Sequence, residues 1–139
     1  MITFFDTNVL VYAVDAGHPP RQKQAIDRLA RAVKEGTVAL STQVLQEFYA
    51  VTTRKLQPPL SHLDAAYQIE QLSAFQIMGS SAQSVAAALA LVDKHRLQWW
   101  DALILEAALR AGADVLVSED GQAGQRFGKL VVENPFSPL

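Results

Sequence analysis

The chain has no cysteine. That excludes disulfide bonds, thiolate nucleophiles and cysteine-type zinc sites. Its three histidines, His18, His62 and His95, stand far apart and form neither an HxH nor an HxxxH pair. Any metal bound here is therefore expected to sit among oxygen ligands. No apolar run approaches the roughly 20 residues that a bilayer span requires. The opening MITFFDTNVL lacks a basic leader and meets an aspartate at position 6, so a cytoplasmic protein with no membrane partner is expected. Excess positive charge is also lacking. Twelve Lys and Arg face 14 Asp and Glu, for a net charge of −2, which runs against the basic surface usual in nucleic-acid enzymes. The sum conceals a partition. Were five acids, Asp6, Glu47, Asp101, Glu119 and Asp120, to share one pocket, the remainder would carry nine acidic against 12 basic residues. The outer surface would then be mildly basic.

What is present is a chain of 139 residues, half of them apolar, enough for one domain over residues 1–139 with one core. Ile2-Thr3-Phe4-Phe5, Val38-Ala39-Leu40, Phe75 to Met78, Val115-Leu116-Val117 and Leu130-Val131-Val132 read as short buried strands. Helical periodicity lies between them. Pro19-Pro20 opens a segment with Ala25, Ile26, Leu29, Ala32 and Val33 at helical spacing, stopped by Gly36. Ser41-Thr42 caps a helix to about Lys55, Ser61 one to about Ala74, and Ser80-Ser81 one ending near His95. Trp100 to Ala111 is apolar nearly all round, with Glu106 and Arg110 expected as an outward ion pair. Strands alternating with helices predict an α/β sandwich around a mostly parallel sheet of four or five strands.

That layout gathers four acids from four regions. Asp6 and Asp120 follow the C-terminal ends of the first and fourth strands, the edge at which open parallel sheets bind ligands. Asp101 opens the helix that returns to the fourth strand, so it lies at the same edge. Glu47 lies about five residues into the helix after the second strand, roughly 7–8 Å from that edge at ~1.5 Å per residue. It shares a helix face with Val44 and Val51, where a carboxylate is costly unless paired or bound to a cation. Each acid also has a plainer reading: Asp6 and Asp101 as helix caps, Asp120 as part of a Ser-Glu-Asp-Gly turn, Glu47 as one half of a salt bridge. Together, carboxylates without His or Cys suit a hard cation, Mg²⁺ or Mn²⁺. With such an ion the natural reaction is phosphodiester hydrolysis. Asp6 and Asp101 are the expected principal ligands, with Glu47 and Asp120 binding a second ion or orienting the attacking water. Asn8, Ser118 and Glu119 are expected to support them by hydrogen bonds.

The segments FFDTNVLVYA, LSTQVLQEFY, LQWWDALILEAALRAGADVLVSED and VVENPF resemble PIN-domain proteins of the VapC toxin type, over nearly the whole chain from Ile2 to Phe136. The resemblance implies a three-layer sandwich with a four- or five-stranded parallel sheet. It implies a Mg²⁺- or Mn²⁺-dependent endoribonuclease that is usually a homodimer, an RNA substrate, and a cognate antitoxin that covers the acidic pocket. The family's acids fall on Asp6, Glu47, Asp101 and Asp120. One departure is the turn after Asp120: many relatives have a longer, often His-containing turn, and this chain has Gly121-Gln122-Ala123-Gly124. The alternative within the same fold is a module that binds RNA or a partner without cleaving. A haloacid-dehalogenase-like phosphatase would need a second acid where Asn8 stands. A dinucleotide-binding fold would need a Gly-rich turn after the first strand. Arg21, Lys23, Arg28, Arg31 and Lys34 read as a solvated helix face or an RNA path, and Arg54-Lys55 as guides for phosphate. Trp99 and Trp100 read as core or dimer packing, with base stacking as the alternative. Tyr12, Phe48 and Tyr49 read as core, with a face that receives an antitoxin helix as the alternative.

Overall fold

Apolar and β-branched residues bounded by helix caps set the chain's alternation. In the computed structural model, which describes residues 1–136, the elements run in the following order. Strand β1 (Ile2–Phe5) leads to α1 (Thr7–Ala13) and α2 (Pro19–Glu35). Strand β2 (Thr37–Ser41) precedes α3 (Thr42–Arg54) and α4 (His62–Leu72). Strand β3 (Gln76–Met78) precedes α5 (Ala82–His95) and α6 (Trp99–Arg110). Strands β4 (Val115–Val117), β5 (Arg126–Phe127) and β6 (Leu130–Glu133) close the fold. The caps are those the sequence indicates. Ser41 accepts from the Val44 amide and Ser61 from the Asp64 amide, and Ser81 and Ser84 satisfy each other's amides in a capping box. No helix among the described residues is long and apolar enough to cross a membrane.

The sheet has six strands in the order β3-β2-β1-β4-β6-β5, all parallel except the β5–β6 pair. The expectation of four or five strands is thus corrected. The added member, β5, is two residues long and pairs antiparallel with β6 through Arg126–Val131 and Phe127–Leu130. Two residues are too few for alternation to register. From β1 the chain moves outward to β2 and β3, then crosses back to β4 on the other side of β1. Right-handed crossovers place α1–α4 on one face and α5–α6 on the other. The helix packing divides the same way, α1 on α2 and α3, α3 on α4, and α5 on α6. The strand order reverses between β1 and β4, and a crevice opens there at the strands' C-terminal ends.

Phe4, Phe5, Leu40, Val44, Phe48, Val117 and Leu130 are fully buried at the centre. Register at the head of the sheet is fixed by Asp114, whose carboxylate accepts from the Ile2 amide at 2.8 Å and whose own amide donates to the Ile2 carbonyl. Gly36 permits the entry into β2, because a Cβ there would lie 2.2 Å from the Met1 carbonyl oxygen.

Three side chains depart from the sequence expectation. Glu106 is buried, not outward; it binds Arg110 at 2.8 Å, and Arg110 reaches on to the Gly79 carbonyl. Tyr49 is exposed and hydrogen-bonds His62. Arg28 is 5% exposed and pairs with Glu133, with its guanidinium over the Phe5 ring. Spacing shows which helix face a basic residue occupies, but not whether a distant strand supplies its counter-charge. Glu133, itself 33% exposed, binds Arg31 as well. Breaking a buried pair from one side strands the remaining charge. Glu133→Ala is therefore expected to destabilise the fold by about 2–3 kcal/mol, read as a lower urea midpoint with unchanged slope.

Candidate active site

Asp6 leaves β1 at its C-terminal end and takes the N-cap position of α1, where its side chain accepts from the Thr7 amide at 2.7 Å. The cap reading and the site reading are therefore both true of this residue. Its amide extends the β1–β4 ladder to the Val117 carbonyl, which sets it beside Ser118. The buried Ser118 hydroxyl donates to the other Asp6 carboxylate oxygen at 2.9 Å and accepts from the Asp120 amide at 3.1 Å. One hydroxyl thus orients Asp6 and holds the turn that carries Asp120.

Asp101 lies in the first turn of α6, half-buried, while Gln98 takes the N-cap position without a side-chain bond. The cap reading of Asp101 is thus corrected; the helix dipole still favours its charge there. Asp120 is exposed in the loop after β4. Glu47 is half-buried on α3 and accepts from the Gln43 amide nitrogen at 2.6 Å, one turn earlier on the same helix. Its helix face is apolar as expected, but its side chain reaches the rim.

Two adjoining cavities share these residues. A slot of about 220 Å³ is lined by Leu97, Ile104, Leu105, Phe127, Gln122 and Gln125. A wider groove of about 560 Å³ is lined by Asn8, Gln43, Gln46, Glu47 and Trp100. Asp6, Asp101, Asp120 and Ile104 line both and form the divide. The structure thus gathers three aspartates at one divide, with Glu47 and Asn8 in the wider groove. It does not bring Glu119 there. Glu119 binds Arg21 at 2.9 Å, and that guanidinium lies over the Tyr12 and Phe136 rings. Trp100 is 65% exposed on the groove wall, which corrects the core half of the packing role expected of it. The slot residues escaped the sequence reading because they come from the α5–α6 turn, α6 and the short β5 region. Gln43 was legible through its i,i+4 spacing from Glu47.

The electrostatics follow from burial. Desolvation lifts the Asp6 carboxyl to a pKa of about 6; the Ser118 and Thr7 hydrogen bonds oppose this, and the charges of Asp120 and Glu47 reinforce it. Asp101 is raised first by burial and then by Asp120. An anionic site of oxygen donors that resists its own ionisation fits a hard divalent cation in donor chemistry. As they stand, no three His, Asp or Glu side chains among the described residues are spaced to hold an ion. Binding would have to draw the exposed Asp120 and the rim residue Glu47 inward.

The comparisons agree with this architecture. Residues 3–127 match the model of the PIN domain. Among curated proteins none matches the chain at a significant level. Among solved structures, the chain is similar to VapBC2 from Rickettsia felis, bound to a DNA fragment from its promoter, at 25% identity and a TM-score of 0.68, covering 96% of this chain and 98% of that one. It is similar to a toxin–antitoxin complex from Klebsiella pneumoniae at 20% identity and a TM-score of 0.69, covering 98% and 99%. It is also similar to VapC20 of Mycobacterium tuberculosis, a toxin that cleaves the sarcin–ricin loop, at 21% identity and a TM-score of 0.68, covering 86% and 91%.

The raised carboxyl makes the metal-free fold pH-sensitive. Asp6 holds its proton more tightly folded than unfolded, so its penalty is absent near pH 4 and grows as pH rises to about 6. In EDTA, Asp6→Asn is expected to exceed the parent protein in stability by roughly 2–3 kcal/mol at pH 7 and to converge with it near pH 4. Urea denaturation at both pH values checks this; equal stabilities at pH 7 would contradict the burial penalty.

Proposed function

The chain belongs to the PIN-domain family, and from that premise we propose that it is a Mg²⁺- or Mn²⁺-dependent endoribonuclease, the toxin of a toxin–antitoxin pair. The observation that carries the proposal is the meeting of Asp6, Asp101 and Asp120 at the reversal of strand order, with Glu47 facing the same groove. When bound, the cation neutralises phosphate charge and makes a water acidic enough to attack at neutral pH.

The chain's own groups prepare for that. Ser118 and the Thr7 amide each bind one oxygen of Asp6, which fixes the plane of its carboxylate before any ligand arrives. Burial of Asp6 removes competing water and strengthens its attraction for a cation. Asp101 opposes it from α6, so the two principal ligands come from different layers of the fold. Asp120 is exposed and Glu47 half-buried at the margins of the site. They are assigned to a second ion or to the attacking water, whose proton a carboxylate at that position accepts. Asn8 lines the groove beside them and is assigned a supporting hydrogen bond. Glu119, bound to Arg21, is left outside the machinery.

An antitoxin that covers the groove is the expected protein partner; the K. pneumoniae neighbour is itself a toxin–antitoxin complex, and the R. felis neighbour is VapBC2. A homodimer and a cytoplasmic location complete the proposal. The competing reading is a PIN module that binds without cleaving. It draws on the spacing of the acids, since no three among the described residues stand close enough to ligate an ion. Calorimetry with Mn²⁺ separates the two, since the module reading requires that no heat of binding be seen.

Asp6→Asn and Asp101→Asn are each expected to lower RNA cleavage by at least about 100-fold while the circular dichroism spectrum is kept, and EDTA is expected to stop cleavage by the parent protein. Full activity of both variants, or cleavage undiminished in EDTA, would refute the assignment.

A further inference from the structure

Arg21 ties three separate stretches of chain to one guanidinium. It lies in the first turn of α2, which begins at Pro19. Its Nη1 donates to the Glu119 carboxylate at 2.9 Å. The guanidinium carbon lies 5.2 Å from the centre of the Tyr12 ring and 4.8 Å from that of Phe136. Those two rings meet edge to face at 5.0 Å. Tyr12 belongs to α1, and Phe136 follows β6. Glu119 therefore meets a guanidinium that two rings already hold in place. Stability does not account for the arrangement. The arginine side chain is 44% exposed, and ion pairs so open to water contribute little.

What the pair holds is the residue before Asp120. Glu119 turns to α2, whereas Asp120, next in the chain, lines both cavities of the site. The Asp120 amide donates to the Ser118 hydroxyl at 3.1 Å. Beyond it the chain runs through exposed Gly121, Gln122 and Ala123 until the Gly124 amide reaches the Val132 carbonyl at 2.8 Å. With the Glu119 tie cut, the Ser118 hydroxyl is left as the anchor on the β4 side of Asp120.

We infer that Arg21 is a positioning residue: by holding Glu119 against α2 it sets where the Asp120 carboxylate stands, and with it how tightly the site takes a divalent cation. The inference rests on the metal-dependent reading above and adds to it a residue that touches neither the cation nor the substrate. Charge by itself predicts a different pattern. Arg21→Gln removes a positive charge from the neighbourhood of an acidic site, which by Coulomb's law would strengthen cation binding. Glu119→Gln removes a negative charge and would weaken it. Positioning predicts a loss from both.

The test titrates Mn²⁺ into the full chain by calorimetry. Arg21→Gln and Glu119→Gln are each expected to weaken binding roughly 5- to 30-fold, and the double variant no further than either single one. Arg21→Lys keeps a donor for Glu119 and is expected to recover part of the loss. In an Asp120→Asn background, adding Arg21→Gln is expected to cause no further loss. A second measurement needs no metal. In EDTA, the amide order parameters of Glu119 and Asp120 are expected to fall by about 0.1–0.2 in Arg21→Gln, with those of β1 and β4 unchanged. Because the pair is open to solvent, the variants are expected to melt close to the parent protein. Affinity kept or raised in Arg21→Gln, or a further loss in the Asp120→Asn background, would overturn the inference and leave the metal-dependent reading intact. A parent protein that takes up no Mn²⁺ would refute that reading instead. The order parameters would then decide the hold on Asp120: a local fall upholds it, and unchanged values refute it.

Discussion

The parallel pairing of β1 with β4 is the constraint on which the rest depends. It aligns Phe5 with Val117, so the residues that follow each strand emerge side by side. Asp6 and Ser118 then meet in a hydrogen bond, and Ser118 ties down the Asp120 turn. The pairing is secured at its other end by Asp114 against Ile2. A one-residue slip would send Phe4 and Phe5 to the wrong faces and part Asp6 from Ser118. Core packing and site geometry are thus enforced by the same register.

Burial and function pull against each other at that point. A carboxylate 9% exposed beside two further acids is unfavourable in the empty protein. Its hydrogen bonds offset only part of the cost. Such a cluster is retained against its own repulsion where a ligand reverses the balance. The basic residues tell a complementary story. Arg21, Arg28, Arg31 and Lys23 on α2 all pair with carboxylates of this chain, so the helix that looks most like an RNA path is occupied with internal contacts. No ion pair among the described residues involves Arg54, Lys55, Lys94, Arg96 or Arg126. Arg54 and Lys55 close the helix that carries Glu47.

Most of the architecture was legible because its signals are local. Gly36, Ser41, Ser61 and Ser81 mark boundaries within a residue or two, and the apolar strands declare themselves by composition. The convergence of the acids was legible because parallel topology leaves few ways to arrange strand ends. What escaped depends on partners distant in sequence. The burial of Arg28 needs Glu133, 105 residues away. Glu119 is drawn off by Arg21, 98 residues away. Trp100 looks like a core residue from its apolar neighbours, and only the placement of α3 across the groove reveals its face to be open. Strand β5 is defined by its hairpin with β6 and carries no pattern of its own.

The Asp6–Ser118 bond spans 112 residues. This bond cannot form until β4 has been made and has found β1. During synthesis, the amino-terminal acid is present from the start without a site to belong to. Under the nuclease reading, a nascent chain of this protein is harmless to the ribosome and messenger that are making it. It gains a complete site only once β4 and the Asp120 turn have emerged.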